Sequence, residues 1–232
     1  MLQYVAFQYR LYPDEKQKTL IHKTLGCTRF VYNHFLQYCY TEWMEENGWP
    51  SYEDCANQLP LLKEQYPWLK EVDSICLQQS LKDMRQAYIN HVKHKRAGHK
   101  LYGKPRYKSK HDSVNRYRTQ NVNDNIRIEA NTIKLPLLGY VHISRSQDIK
   151  GRIIRATVKR TNTGKYFVVL CCKCPVEPLY PSHREVGIDM GIKTFLHTSD
   201  NESVQNPHFF HQGECQIKRA QRALSRKKKG SS

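Results

Sequence analysis

The chain has 232 residues, with 38 Lys and Arg against 21 Asp and Glu and a net charge of +17. At 39% hydrophobic and 25% charged residues it is neither a low-complexity tail nor too polar to fold, and its length suits one large or two small domains. No apolar run nears the roughly 18 residues of a membrane span, so the membrane is left as at most an adhesive surface and a polyanion is the first expected partner.

Eight cysteines raise the possibility of a secreted disulfide scaffold, but such scaffolds are shorter, and Met1 to Arg10 has no basic region before an apolar run. Reduced thiols in the cytoplasm are expected. Cys27, Cys39, Cys55 and Cys76 are scattered singly. Cys171, Cys172 and Cys174 cluster on a strand whose successive side chains face opposite ways, so buried small residues are expected there in place of a metal site.

Val5, Phe7, Tyr9 and Leu11 alternate with Ala6, Gln8 and Arg10, the period of a half-buried strand that Pro13 ends. From Asp14 the spacing changes, and Ile21, Leu25, Thr28, Tyr32, Phe35, Cys39 and Trp43 recur every three or four residues as in an amphipathic helix. Gly26 is expected to divide it in two. Such a pair is either a helix-turn-helix that reads a DNA groove or the core of a helical bundle.

Residues 42 to 73 carry many acids, with prolines at 50, 60 and 67, and are expected to be irregular and to face solvent. Asp73 suits the N-cap of a helix with Leu77, Leu81, Met84 and Tyr88 on one face, stopped at Gly98.

From His91 to Arg118 the composition changes. Lys93, Lys95, Arg96, Lys100, Lys104, Arg106, Lys108, Lys110, Arg116 and Arg118 meet a single acid, Asp112, and Tyr102, Tyr107 and Tyr117 are interleaved. Cations neutralise phosphates and tyrosines stack on unpaired bases, so the segment suits a nucleic-acid groove, single-stranded or containing RNA. The alternative is a solvated basic linker.

After Asn121 the period returns to two. Ile126 and Ile128, Ile133 and Leu135, Val141 and Ile143, Ile154 to Val158, and Tyr166 to Cys172 mark short strands, with turns at Asn131 and at Thr161 to Gly164. With the first strand they make a small antiparallel barrel or sandwich into which the helices are inserted.

Pro175, Pro178 and Pro181 mark a linker. Beyond it, Val186 to Leu196 is an apolar run with Asp189 in its middle. A carboxylate there is either capped at a strand edge by backbone amides or needs a partner or cation. Ser199 to Asn201 forms a turn, and Gln216 to Lys229 resembles a basic helix.

Four stretches carry a family resemblance. Tyr9 to Pro13 leading into Gly26 to Asn33, Gly103 to Lys110 with the following Ile133 to Gly139, Gly187 to Lys193, and Arg222 to Ser231 resemble, in order, the amino-terminal part of the TnpB (OrfB) proteins of insertion sequences, relatives of the type V CRISPR effector nucleases. The resemblance implies an α+β chain divided as follows. Residues 1–12 are the first strand of a wedge-like antiparallel β-barrel, and 13–98 are an inserted helical recognition lobe with a helix-turn-helix-like start. Residues 99–180 are the basic segment and the rest of the barrel, and 181–232 are part of a RuvC-like, RNase H-fold nuclease domain.

It also implies guide RNA and target DNA as partners in the cytoplasm at the nucleoid, with sequence read mainly by base pairing. The nucleic-acid-binding residues would be Arg29, Lys100, Lys104, Arg106, Tyr107, Lys108, Lys110, Arg116, Arg118, Arg222, Arg226, Lys227 and Lys228. Asp189 matches the first carboxylate of a two-magnesium centre. The family's later catalytic acids and its zinc ribbon follow the point where this chain stops. Asp200 and Glu202 read as turn residues and Glu214 as the first turn of the last helix. The expectation is therefore a truncated polypeptide that binds RNA and DNA but cannot cut alone. Its alternatives are a nuclease-dead RNA-guided repressor and a helix-turn-helix regulator.

Overall fold

The structure is a computed structural model that describes residues 2–43, 49–97, 103–112, 115–176 and 185–228, the side chains of 42 and 43 excepted. It divides into two compact units, Met1–Pro178 and Leu179–Ser232.

The first unit begins with β1 (Leu2–Tyr12), in which Phe7, Tyr9 and Leu11 are buried. Asp14 then caps α1 (Glu15–Tyr38): its carboxylate accepts from the Gln17 backbone N–H at 2.8 Å, and the Gln17 side chain accepts from the Asp14 N–H at 3.1 Å. Both orphan donors are satisfied reciprocally. Contrary to the expected break, α1 runs unbroken through Gly26. Ile21 and Leu25, before the glycine, belong to the core of the sheet, while Val31, Phe35 and Leu36, after it, belong to a helical core. Burying each such side chain contributes about 1.5–3 kcal/mol, more than the ~1 kcal/mol that a helical glycine forfeits. A π-helical turn, Cys39–Trp43, extends α1.

The acidic, proline-rich stretch is also more regular than expected. Ser51 and Asp54 form a second capping box at the start of α2 (Tyr52–Gln65), which continues through Pro60. A helix-interior proline costs ~3 kcal/mol, but Cys55, Leu59 and Leu62 of this helix are buried, as are Leu69 and Val72 around the 3-10 turn Pro67–Glu71. That burial outweighs the lost bond, and the stretch builds core where solvent exposure was expected. The helix α3 (Ser74–Arg96) starts at the Asp73 cap and buries Leu77, Leu81 and Met84. Gly98 lies outside the described residues; the helix is capped at Ala97.

Six further strands complete one antiparallel sheet: β2 (Asn115–Gln120), β3 (Arg127–Glu129), β4 (Thr132–Leu135), β5 (Gly139–Ser144), β6 (Arg152–Arg160) and β7 (Tyr166–Pro175). Their order is β2-β6-β7-β1-β5-β4-β3. The two edge strands, β2 and β3, are consecutive in sequence and joined only by residues 121–126. A flat sheet would hold its edges ~29 Å apart at ~4.8 Å per strand. The connection reaches at most ~25 Å fully extended, and it is a compact turn with Asn123 and Asp124 at positive φ. The sheet must therefore curl until its edges approach, giving a half-barrel around Tyr9, Leu11, Ile133, Val158 and Leu170. The turn at Ala130 and Asn131, with Ala130 at φ 49, and the hairpin at Thr161 to Gly164, with Gly164 at φ 76, fall where the sequence placed them.

The second unit contains a small sheet, β8 (Ile188–Asp189), β9 (Thr194–Thr198) and β10 (Ser203–Gln205), in the order β10-β9-β8, followed by α4 (Phe209–Ser225). Ser199 to Asn201 turns between β9 and β10, with Asn201 at φ 62. The helix starts earlier than expected. Glu214 consequently lies in its second turn, bridged to Lys218 at 2.8 Å, while Arg226 caps the helix and Lys227 and Lys228 lie past it. None of α4 is buried among the described residues.

Candidate nucleic-acid interface

The basic segment is laid onto α1 by specific bonds. Asn33 donates from Nδ2 to the Lys108 carbonyl at 2.9 Å and accepts from the Lys108 N–H at 2.8 Å. One side chain thus completes a peptide's hydrogen bonding as a neighbouring strand would. Tyr40 donates to the Pro105 carbonyl at 2.9 Å, and the Tyr107 hydroxyl donates to Gln37. These bonds hold residues 103–112 as a strap across the helix, which a solvated linker would not be.

Beside the strap, α3 and the outer surface of β2 and β6 enclose a cleft of about 650 Å³. Tyr117 and Thr119 of β2 are buried, so Arg116 and Arg118, alternating with them, lie on the opposite face. Register places Thr157 opposite Arg118 and Arg155 opposite Gln120. Lys108, Arg116, Arg118 and Arg155 therefore line the cleft together, with Asp83 and Asp112 as its acids. Asp83 is taken up by an ion pair with Arg118, which leaves the balance positive.

Lys108 lies partly buried, with its ammonium 3.8 Å from the centre of the Tyr32 ring. Burial first, and then the Arg116 guanidinium, pull its pKa down to about 8, with Asp112 opposing. Burial and Arg155 lower that of Arg118 in the same way. Mutual repulsion of cations in a concave, half-dry site is relieved when an anion enters. The chemistry on offer is phosphate binding.

The expected binding residues divide clearly. Lys108, Arg116 and Arg118 converge on the cleft, and Arg29 lies beside them at a small cavity between α1 and α3. Lys104, Arg106 and Lys110 are exposed along the strap, and Tyr107 is half exposed there. Arg222, Arg226, Lys227 and Lys228 are exposed in the second unit. Lys100 lies outside the described residues.

Sequence reading missed Arg155, and with it the rest of the sheet's outer face. The Arg10 guanidinium lies 5.1 Å from the Phe167 ring and 5.7 Å from that of Tyr12, and Lys159 lies 5.4 Å from Phe167 while donating to Gln8 at 2.6 Å. The available signal is the off-core alternation of β1, β6 and β7.

Asp189 is not buried within its apolar run. It lies on β8, paired with His197 of β9, and it is exposed, as are the described residues around it, Ile188 at 60% and Met190 at 67%. An apolar run builds a buried strand only where other surfaces cover it, and β8 is two residues long. Among the described residues no three His, Cys, Asp or Glu side chains converge as a metal-binding group.

The profile of a helix-turn-helix domain of the OrfB IS605 type matches residues 1–48. A Streptomyces pristinaespiralis protein, provisionally named an RNA-guided DNA endonuclease, is 32% identical over 231 residues, covering 97% of this chain and 56% of its own length. The provisionally named RNA-guided DNA endonuclease InsQ of Escherichia coli K12 is 31% identical over 230 residues, covering 97% and 55%. The chain is TnpB-like (OrfB-like) over nearly its whole length. It spans about half the length of the curated relatives it matches. A Cas12f1 chain from a cryo-EM complex with sgRNA and target DNA aligns over 97% of this chain and 62% of its own at 12% identity, with a TM-score of 0.39, too low to bear on the fold. Within the stretch that this TnpB-family profile calls helix-turn-helix, the described residues form a strand, one unbroken helix and a π-helical turn. Among the described residues no helix is long and apolar enough to cross a membrane.

Proposed function

We propose that this chain is the nucleic-acid-gripping part of a TnpB-type, transposon-associated RNA-guided DNA endonuclease, holding guide RNA and its DNA target. The observation that carries this reading is the cleft in which Lys108, Arg116, Arg118 and Arg155 come together around Asp83 and Asp112. In this reading the curled sheet, residues 1–12 and 99–180, is the wedge-like barrel. Residues 13–98 are the recognition lobe and 181–232 belong to a RuvC-like domain. Arg29 of α1 and the exposed Lys104, Arg106 and Lys110 of the strap extend the grip, with Tyr107 stacking, and Lys100, outside the described residues, is assigned to the same basic segment. Arg222, Arg226, Lys227 and Lys228 add a second basic surface. The protein would work in the cytoplasm, at the nucleoid.

Magnesium is implied by the family and supplies water activation and leaving-group stabilisation when two ions are held by several carboxylates. The described residues do not fit such a centre, because Asp189 is a single exposed carboxylate with no converging partners. In this reading Asp189 is one carboxylate toward such a centre and does not suffice for it. A helix-turn-helix regulator is disfavoured by the continuity of α1.

The test is filter binding of a hairpin RNA and an RNA–DNA hybrid over a salt series. Log affinity should fall linearly with log salt, and R116Q/R155Q should make that slope shallower by ~1–2. Combined neutralisation of Lys104, Arg106, Lys108 and Lys110 should flatten it further. Binding no better than to a neutral polymer at moderate salt would overturn the proposal.

A further inference from the structure

A second concavity lies apart from the cleft, where the carboxy-terminal turns of α3 meet the π-helical turn and the strap. Its volume is about 240 Å³, and it is lined by Tyr40, Trp49, Tyr88, His91, Lys95 and Lys104, among others. The Trp49 and Tyr88 rings are parallel, 3.9 Å apart and inclined by 3°. Tyr40 meets Trp49 edge-on at 5.5 Å and 76°, and its hydroxyl is anchored to the Pro105 carbonyl at 2.9 Å. The aromatic wall is therefore preorganised. Tyr40 stands on the π-helical turn, a form that recurs at functional positions because it displaces side chains from the regular helical register.

Two features show that this is more than a gap in the core. The Trp49 indole N–H is buried and has no hydrogen-bond partner among the described residues, an arrangement that costs free energy unless a ligand supplies the acceptor. The exposed lysines 95 and 104 line the same pocket, on α3 and the strap. Stacked rings, an unpaired donor and two cations select a flat, hydrogen-bond-accepting ring system linked to an anion. A bare cation would be repelled, and an aliphatic side chain would leave the indole N–H unanswered. The pocket is below the ~300–1,000 Å³ of drug-sized sites, which suits one ring system over a larger cofactor.

We infer that this pocket captures a single unpaired base of a bound strand, stacked on the Trp49–Tyr88 wall, with its adjoining phosphate on Lys95 and Lys104. The inference rests on the proposed nucleic-acid partner and names a contact that base pairing does not supply, because a captured base is unavailable to a complementary strand.

The test uses the full chain and a 12-nucleotide single-stranded RNA of uridines, against an abasic strand of the same length and charge. Stacking one base contributes ~1–3 kcal/mol, so the uridine strand should bind ~5- to 150-fold more tightly. K104Q should weaken both strands, whereas Y88A should erase the difference between them and Y88F should keep it. With 4-thiouridine in the strand, irradiation should give adducts at Tyr40, Trp49 or Tyr88. Equal affinity for the two strands, or adducts confined to other residues, would overturn the inference while leaving the proposed function standing. Failure to bind either strand would overturn both. The wild-type comparison and the adduct map require no variant to fold.

Discussion

Asp73 and Thr119, 46 residues apart, are joined by a hydrogen bond of 2.6 Å from the Thr119 hydroxyl to Asp73 Oδ2. The other carboxylate oxygen accepts from the Ile75 N–H at 3.0 Å and so caps α3, while the Cys76 thiol shares Oδ2 at 3.4 Å. A single carboxylate thus starts the helix and ties it to β2, the strand that carries Arg116 and Arg118. Hydrogen bonds to charged groups are worth ~1.5–3 kcal/mol. Thr119→Val should lower stability by about that amount in urea unfolding. Asp73→Ala should lower it by more, because the cap, worth ~0.5–2 kcal/mol, goes with it. Equal losses in the two variants would mean that the cap contributes nothing beyond the tie.

Asn33 should act as the buckle of the strap. Asn33→Ala leaves the Lys108 N–H and carbonyl without their partners, at a cost of ~1–3 kcal/mol each if they stay buried and less if the strap lifts into water. The second course is cheaper, so limited trypsin digestion should cut at Arg106, Lys108 and Lys110 several-fold faster than in the parent chain, with helix content unchanged by circular dichroism. An unchanged digestion rate would show that the strap is held elsewhere.

Gly26→Ala separates a continuous helix from a broken one. A Cβ at this position would meet nothing within 4 Å, and the residue is not at positive φ. Alanine should stabilise the chain by ~0.5–1 kcal/mol through its lower unfolded-state entropy and better helix propensity. A glycine ending one helix in a left-handed turn would instead make the substitution destabilising, and thermal unfolding distinguishes the signs.

The depressed pKa of Lys108 predicts two pH dependences. An unfolded lysine titrates near ~10.4, whereas Lys108 does so at about 8 in the fold. Between those values the unfolded chain holds a proton that the folded chain lacks, so this residue makes stability rise with pH across that window. Its penalty is fully present below about 8. Binding moves the other way. As the ammonium loses its proton from pH 7 to 9, affinity for RNA should fall several-fold, and Lys108→Gln should remove most of that decline. Filter binding at the two pH values checks it.

The parts legible in the sequence share one property: they depend on neighbours a few residues away. The alternation of β1, the Asp73 cap and the turn at Gly164 each follow from backbone geometry and the side chains beside it. The misses share the opposite property. Gly26 and Pro60 read as breaks because local propensity favours a break there, and only burial in the cores on either side of α1 and beneath α2 outweighs that propensity. The run around Asp189 read as buried because it is apolar, although burial is decided by what covers it. Arg155 was passed over because it lies 37 residues from Arg118 in the chain and only strand register brings them to the same cleft.

Read by itself, the chain carried a cationic balance that favours a polyanion and strands at both ends of a helical insert, because charge totals and short-range periodicity are properties of a linear string, and it bore a resemblance to the TnpB proteins. Tertiary structure alone decided that the basic segment is a strap on α1, that the cleft draws its cations from the strap and two strands, and that an aromatic pocket stands beside it. Those outcomes rest on antiparallel register and on hydrogen bonds between residues tens of positions apart, whose free energies exist only once the backbone has brought the partners within bonding distance.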